Sequence, residues 1–139
     1  MSTMPTKPLV LQTKKLDQPP EGFDDTSRGD VHWHTLFSSP ETPTDQLTAG
    51  LGICPVGTGR LCKHRHKHAE IYYITEGIGE VTVDAETYEV SNGHTIYIPG
   101  DAEHGIKNVG NIPLKWFYVF AADSFSEIVY RFSHEQSSE

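Results

Sequence analysis

The sequence predicts an all-β protein whose strands form a double-sheet jelly roll or a closed barrel. Between residues 31 and 132, short runs rich in Val, Ile, Tyr, Phe and Thr alternate with Gly, Pro, Asn and Asp at close intervals, a pattern typical of consecutive strands. No window of about a dozen residues keeps the apolar period of an amphipathic helix. Because many short strands leave edges to be covered, packed sheets or a closed barrel are expected.

The chain is expected to form one domain with extended ends. Residues 1–30 contain four prolines and two glycines among scattered charges, a composition that interrupts regular structure, and are predicted as an N-terminal arm. Residues 31–132 are predicted as the barrel. The polar residues 133–139 are predicted as a flexible C-terminal tail.

Ten strands are predicted, each a β-branched or aromatic run bounded by turn residues. Pro40 follows the first strand, Pro55 the second, Gly77 the fourth, Gly93 the sixth and Pro99 the seventh. The predicted strands, in chain order, are residues 31–37, 47–54, 60–66, 70–75, 79–84, 87–90, 95–98, 104–109, 114–120 and 128–132.

The acidic composition excludes several classes of partner. Nineteen acidic and eleven basic residues give a formal charge of −8, which repels phosphate backbones and anionic lipids, so neither nucleic acid nor a membrane is expected to bind. The longest apolar run, residues 116–122, is far shorter than the roughly 20 residues of a membrane-spanning helix. We expect a cytoplasmic protein, in which Cys54 and Cys62 stay reduced.

The stretch CKHRHKHAE places histidines at every second position ahead of a glutamate. In a strand, His64 and His66 share one face while Arg65 and Lys67 take the other. If the two imidazoles point inward, they can converge on one metal ion, and Glu70 can return as a third ligand from the following strand. His68 is either an outer contact of such a site or part of the turn.

Two other interpretations of these histidines were weighed. One is a solvated histidine-rich tract, or histidines held by hydrogen bonds in the core. The other is a helical zinc-protease site, which fails because no glutamate lies between His64 and His68 to act as the base. A metal site on a strand is the better interpretation.

A second segment, GHTIYIPGDAEHGIKNVG, adds one more histidine after a strand and a proline turn. With it the sequence resembles the cupin superfamily. The residues that match the two cupin motifs are His64, His66, Glu70 and Gly77 in the first, and Gly93, Pro99, His104 and Asn108 in the second. The intermotif stretch, residues 78–92, also has the length that cupins use.

The resemblance implies a small stand-alone cupin, a jelly-roll barrel of antiparallel strands with a metal inside its mouth. It implies that His64, His66, Glu70 and His104 are the metal ligands. Two positions depart from the motifs: Gly59 lies one residue nearer to His64 than the expected glycine, and Asp101 replaces a glycine. Because Asp tolerates left-handed turn conformations, we interpret the departures as local turn changes.

Three imidazoles and one carboxylate leave one or two positions open on the metal, which suits iron, manganese, nickel, zinc, cobalt or copper. The favoured function is a metal-dependent enzyme acting on a small oxygen-bearing organic molecule, with a non-haem iron dioxygenase ahead of a Lewis-acid lyase, isomerase or decarboxylase. That order rests on analogy with the family. A non-catalytic metal-containing protein that binds a small ligand is the further alternative.

Tyr72 is the candidate catalytic acid or base, because counting by twos from Glu70 places it on the ligand face. Packing is the competing explanation for a tyrosine there. Cys62 lies at the same spacing before His64 and is interpreted as a buried thiol that lines the pocket or the core. His32 and His34 are interpreted as surface or interface residues. A homodimer is expected, in which a neighbouring chain covers edge strands.

Overall fold

The computed structural model describes residues 5–15 and 18–136. These residues form two six-stranded antiparallel sheets that pack into a jelly roll, which confirms the predicted fold class. The strands are β1 (Glu21–Gly22), β2 (Gly29–Asp30), β3 (His32–Phe37), β4 (Thr48–Cys54), β5 (Arg60–Arg65), β6 (Glu70–Glu76), β7 (Ile78–Val83), β8 (Glu86–Ser91), β9 (Thr95–Ile98), β10 (His104–Asn108), β11 (Leu114–Phe120) and β12 (Arg131–Phe132).

The first sheet has the strand order β1-β3-β4-β11-β6-β9, and the second has the order β12-β5-β10-β7-β8, with β2 also paired to β5. Short 3₁₀ turns make up the helical part: Thr13–Lys15, Thr26–Arg28, Phe125–Glu127 and Ser133–Glu135. None of the described helices has the length and apolar character to span a bilayer.

All ten predicted strands are present, and nine of them match within one residue at each end. The last is shorter than predicted, because a 3₁₀ turn capped by Ser124 and Glu127 precedes it and pairing begins only at Arg131. β1 and β2 were not predicted, since strands of two residues carry no periodic pattern. Both lie inside the predicted arm. Residues 1–4, 16–17 and 137–139 lie outside the described part, so the division into arm, barrel and tail stays a prediction.

The strands alternate between a buried and an exposed face, as a half-buried sheet requires. In β6, Glu70, Tyr72 and Ile74 are buried, while Ile71 and Tyr73 are exposed. The same alternation in β11 buries the four residues Leu114, Trp116, Tyr118 and Phe120. The inner faces of the two sheets therefore form one core. The alternation in β6 buries Glu70 in this core beside apolar residues.

β5 departs from strict alternation because it contains a bulge. His104 pairs with His64, but Ile106 pairs with Leu61, so β5 has one more residue than β10 across this stretch. As a result Leu61 and His64 are both buried, although three positions separate them. Cys62 no longer shares the face of His64: it is half-buried against the core, as one of the two expectations for it had it, and it is not among the lining residues of the cavity beside Glu70.

Candidate metal centre and adjoining cavity

The four predicted ligands come together in the buried space between the two sheets. His64 and His104 are cross-strand partners on β5 and β10, and His66 follows directly after β5. Glu70 is the first residue of β6 and reaches the group from the opposite sheet. Each of the four is at most 4% exposed. The two sheets thus enclose a polar cluster in the otherwise apolar core.

The distances within the cluster are those of side chains that share one centre. One ring nitrogen from each of His64, His66 and His104 lies within 4.8 Å of the other two. The Oε1 atom of Glu70 lies 3.1 Å from Nε2 of His66 and 3.4 Å from Nε2 of His104.

Hydrogen bonds to the backbone orient the three imidazoles. In each ring Nδ1 faces a main-chain carbonyl, which only accepts, so each Nδ1 carries the proton and donates. The acceptors are the carbonyls of Cys62 at 2.7 Å, His68 at 2.9 Å and Ala102 at 2.9 Å, facing His64, His66 and His104 respectively. Each Nε2 is therefore left with a lone pair, and His68 contributes to the site through its carbonyl.

The cluster brings three ring nitrogens and a carboxylate together in a buried space. Nε2 of His66 lies within hydrogen-bond distance of the Glu70 carboxylate, while Nε2 of His64 and of His104 have no hydrogen-bond partner among the described residues. Burial and the nearby His104 hold the pKa of His64 well below its usual range, so its ring is neutral. A buried group of acceptors is costly unless a cation joins them. The donor set fits a divalent transition metal.

A small cavity adjoins the cluster on the side of Glu70. Space for the centre of a water molecule amounts to about 20 Å³ in it, roughly room for one water. Its aromatic lining residues are Phe23, Trp33, Tyr72, Trp116, Tyr118 and Tyr130.

Tyr72 lies where the sequence places it, on the inner face of β6 two residues after Glu70. Its side chain is buried, and its ring centroid lies 6.4 Å from that of His104. Burial, and after it the charge of Glu70, raise the pKa of its phenol well above the usual value. The residue is near enough to the cluster to act on a molecule held there, and its catalytic role stays a prediction.

Sequence reasoning missed Phe23 and Tyr130. Phe23 lies in the predicted arm, and its ring centroid is 5.4 Å from that of Tyr130. The ring of Tyr130 lies 5.0 Å from that of His64. The alternation of Tyr130 with Phe132 was a signal for one inward face, but its position over the histidines depends on how the chain end folds back.

The other candidates lie apart from the cluster. The thiol of Cys62 donates to the carbonyl of Ser27 at 3.4 Å, and the half-buried side chain packs against the core. Cys54 is buried, and desolvation raises the pKa of its thiol to about 12. His32 is exposed and His34 is half-buried on β3.

The left-handed turn expected at Asp101 is present, and the turn change expected at Gly59 stays a prediction. Asp101 adopts a φ of 63°, a left-handed conformation that Asp tolerates. Gly59 packs so closely against the backbone of Pro55 that a side chain would collide with it.

A family model described as a cupin domain matches residues 51–120. This chain belongs to the cupin family. The cupin is 39% identical over 132 residues to dimethylsulfoniopropionate lyase DddW of Ruegeria pomeroyi, a match that covers 94% of this chain and 83% of that protein.

Solved structures share the cupin's fold. The polyketide cyclase RemF from Streptomyces resistomycificus is similar with a TM-score of 0.71 and 18% identity, over 96% of this chain and 89% of that chain. A predicted oxalate decarboxylase from Thermotoga maritima has a TM-score of 0.69 and 21% identity, over 82% of this chain and 99% of that chain.

The comparisons confirm the resemblance to cupins and leave several finer predictions open. A dioxygenase activity is not confirmed, nor is an isomerase activity, because the relative DddW, matched over 94% of this chain, is named a lyase. The identity of the metal, the homodimer and the cytoplasmic location stay predictions.

Proposed function

We propose that this cupin is a metal-dependent lyase that cleaves a small carboxylate bearing a sulfonium group, as the name of its relative DddW describes. The observation that carries the proposal is the group of three inward-facing Nε2 lone pairs and one carboxylate beside a cavity that contains Tyr72. An arrangement of this kind supplies both an electrophilic centre and a proton-transfer group.

His64, His66, Glu70 and His104 are proposed to hold the metal. Once bound there, iron, manganese, nickel, zinc, cobalt or copper would supply a Lewis acid that polarises an oxygen of the substrate. The backbone carbonyls that accept from Nδ1 of each histidine fix the ring orientation before the metal arrives.

The reaction proposed for the cavity is a β-elimination. A proton leaves the carbon next to the carboxylate, a carbon–carbon double bond forms, and the carbon–sulfur bond breaks with both electrons passing to sulfur. From dimethylsulfoniopropionate the products are acrylate, dimethyl sulfide and the transferred proton. Tyr72, as phenolate, is proposed to take that proton at its Oη, and the surrounding rings exclude bulk water from the step.

The environment of Tyr72 ties its proposed role to the ligand cluster. Burial and the negative charge of Glu70 both raise the pKa of the phenol, so both keep it protonated. A positive charge at the cluster offsets the charge of Glu70 and lowers that pKa. The phenol is therefore expected to serve as a base only when a metal cation is bound by the four ligands.

The test is a product assay with purified protein that has been loaded separately with each candidate metal. Incubation with dimethylsulfoniopropionate should release dimethyl sulfide, measured in the headspace, and an equal amount of acrylate. Tyr72→Phe should lower the rate at least about 100-fold, in line with the contribution of a general base, while metal content stays unchanged. Metal-loaded protein that forms neither product would refute the lyase proposal.

The matched control for Tyr72→Phe is Tyr73→Phe, because Tyr73 is the next residue of β6 and faces outward. This variant should keep the full rate. Equal losses in the two variants would show that the effect at Tyr72 is not specific to the cavity.

A further inference from the structure

The outward side of the first sheet is apolar across the five neighbouring strands β3, β4, β11, β6 and β9. Cross-strand pairing places one row of outward side chains on three of these strands: Leu51, Phe117 and Tyr73. The adjacent row crosses all five strands and consists of Phe37, Ala49, Val119, Ile71 and Tyr97. Alternation within each strand turns these side chains away from the core. We call the residues of the two rows the outer apolar face.

Much of the outer apolar face is in contact with solvent in a single chain. Ile71 and Tyr73 are each 43% exposed, and Tyr97 is 66% exposed. Phe117 and Val119 are half-buried by their neighbours in the sheet. Contiguous apolar patches on monomeric proteins seldom exceed a few hundred Å², and larger ones mark interaction sites. The outer apolar face therefore indicates a surface that a partner covers.

The second sheet of the same chain provides a comparison, because its outward side is polar. One row there carries four charged side chains, which are Arg60, Lys107, Glu80 and Glu89. Lys107 forms an ion pair with Glu80 at 3.4 Å, and the adjacent row pairs Thr82 with Thr87. An outward sheet face in water is expected to be polar in this way. The apolar character of the first sheet is thus particular to that side of the molecule.

The outer apolar face has the extent that a dimer needs. A third row, with Ile53 and Lys115, borders it on β4 and β11. Strands lie about 4.8 Å apart and alternate residues of one strand about 6.8 Å apart, so five strands and three rows give a footprint of about 500 Å². Two copies packed on this footprint bury about 1,000 Å² together, the size at which specific interfaces begin.

Charge and symmetry favour a second copy of this chain as the partner. A chain with a net charge of −8 repels its own copies, and the repulsion is smallest where the contact surface is neutral. No residue of the outer apolar face is charged, and at its border Lys115 pairs with Glu76 at 3.2 Å. Phe117 lies on β11, the middle one of the five strands. A two-fold rotation about its position places apolar residues on apolar residues, as a symmetric dimer requires.

We propose that the outer apolar face is the interface of a homodimer, in which the first sheets of two copies pack face to face with Phe117 near the two-fold axis. The composition of the face agrees with this, because interface centres are rich in aromatic residues and poor in charged ones. The sequence alone led us to expect a neighbour over the edge strands, whereas this contact uses the side of a sheet. The inference does not depend on the proposed lyase function.

Sedimentation equilibrium on the metal-loaded full chain measures the association directly. At about 50 µM the protein should have the mass of two chains, as an interface of this size allows. The dimer should persist in about 0.5 M sodium chloride, because salt screens contacts between charges and does not weaken apolar ones.

A charge placed on the outer apolar face assigns the contact to it. Tyr73→Lys should raise the Kd of the dimer at least about 30-fold, because the interface would bury an unpaired ammonium group on each copy. The matched control is Thr82→Lys, which adds the same charge to the outward side of the second sheet and should change the Kd by less than about twofold. If Tyr73→Lys does not fold, as judged by thermal melting, Ile71→Lys replaces it, since Ile71 is equally exposed.

Three results would each overturn the proposed interface: a monomer at about 50 µM, a dimer that dissociates in the high-salt buffer, or equal Kd values for Tyr73→Lys and Thr82→Lys. The association test is separate from the product assay. A dimer that responds to Tyr73→Lys but lacks lyase activity would keep the interface and remove the proposed function. A monomeric lyase would remove the interface and keep the function.

Discussion

Gly52 gives the cavity its width, and Gly52→Ala tests this directly. Gly52 pairs with Trp116 across β4 and β11, and an added Cβ would lie 2.5 Å from Cε2 and 2.6 Å from Cζ2 of that indole. Ordinary contacts begin at 3.4 Å, so the indole must shift by about 1 Å. Trp116 is almost fully buried, and the nearest free volume is the cavity itself. The substitution therefore moves the indole into the cavity.

The cost follows from overpacking a rigid core. Such insertions cost about 1–3 kcal/mol, and replacing glycine by alanine within a strand returns about 0.5–1 kcal/mol of chain entropy. We expect a net loss of about 1–2 kcal/mol, measured by urea unfolding, and a lower rate of dimethyl sulfide release in the product assay. The control substitution is Gly22→Ala, whose nearest new contact is the exposed ring of His32 at 3.2 Å. It should lower neither the stability nor the rate, because the gain in chain entropy is not opposed by overpacking.

Wild-type stability and an unshifted tryptophan emission in Gly52→Ala would refute this reasoning. Either result would mean that Trp116 does not lie against Gly52, and the cavity wall would then be placed incorrectly. A loss of stability with an unchanged rate of dimethyl sulfide release would refute the link between this pair and the proposed reaction in the cavity.

Three further predictions concern thiols, metal and the chain ends. A thiol reagent should modify Cys62 in the native protein and spare Cys54, which is fully buried with a pKa of about 12, and peptide mapping checks this. Free metal at about 100 times its Kd should stabilise the fold by about 2.7 kcal/mol, a gain that a chelator removes; an unchanged melting temperature would contradict the site. Glu135→Gln should speed hydrogen exchange in residues 21–30, because Glu135 accepts two hydrogen bonds from Arg28. The hydrogen bonds to Arg28 lower the pKa of Glu135 in the folded protein. The contact is therefore complete above the ordinary glutamate pKa of about 4.3, and it is lost as the pH falls through the lowered pKa of the folded state. Equal exchange in wild type and variant at neutral pH would contradict this prediction.

Strand positions and the ligand cluster were accessible to sequence reasoning because both depend on local patterns. Alternation in β6 fixes the inward direction of Glu70 and Tyr72 without knowledge of the rest of the fold. The spacing of two between His64 and His66 likewise predicts that both side chains lie on one face of the strand. His104 required the resemblance to cupins, since nothing local to it points to a partner in another strand.

The parts that sequence reasoning missed depend on contacts between distant segments. The bulge in β5 turns Cys62 away from the ligand face, and it shows only in the register of pairing with β10. Phe23 reaches the cavity from a proline-rich segment with no periodic pattern. The width of the cavity depends on a glycine of β4 lying opposite an indole of β11, which is a property of register.

The central claim is that His64, His66, Glu70 and His104 hold one divalent metal, and metal analysis of purified variants tests it most directly. Wild-type protein equilibrated with zinc and then desalted should retain about one equivalent per chain. The double variant His66→Ala/His104→Ala should retain less than about a tenth of that amount while circular dichroism still reports a β-sheet fold. The control pair His32→Ala/His34→Ala, also histidines two apart on a strand, should retain the full amount. Full metal content in the His66→Ala/His104→Ala protein would contradict the assignment.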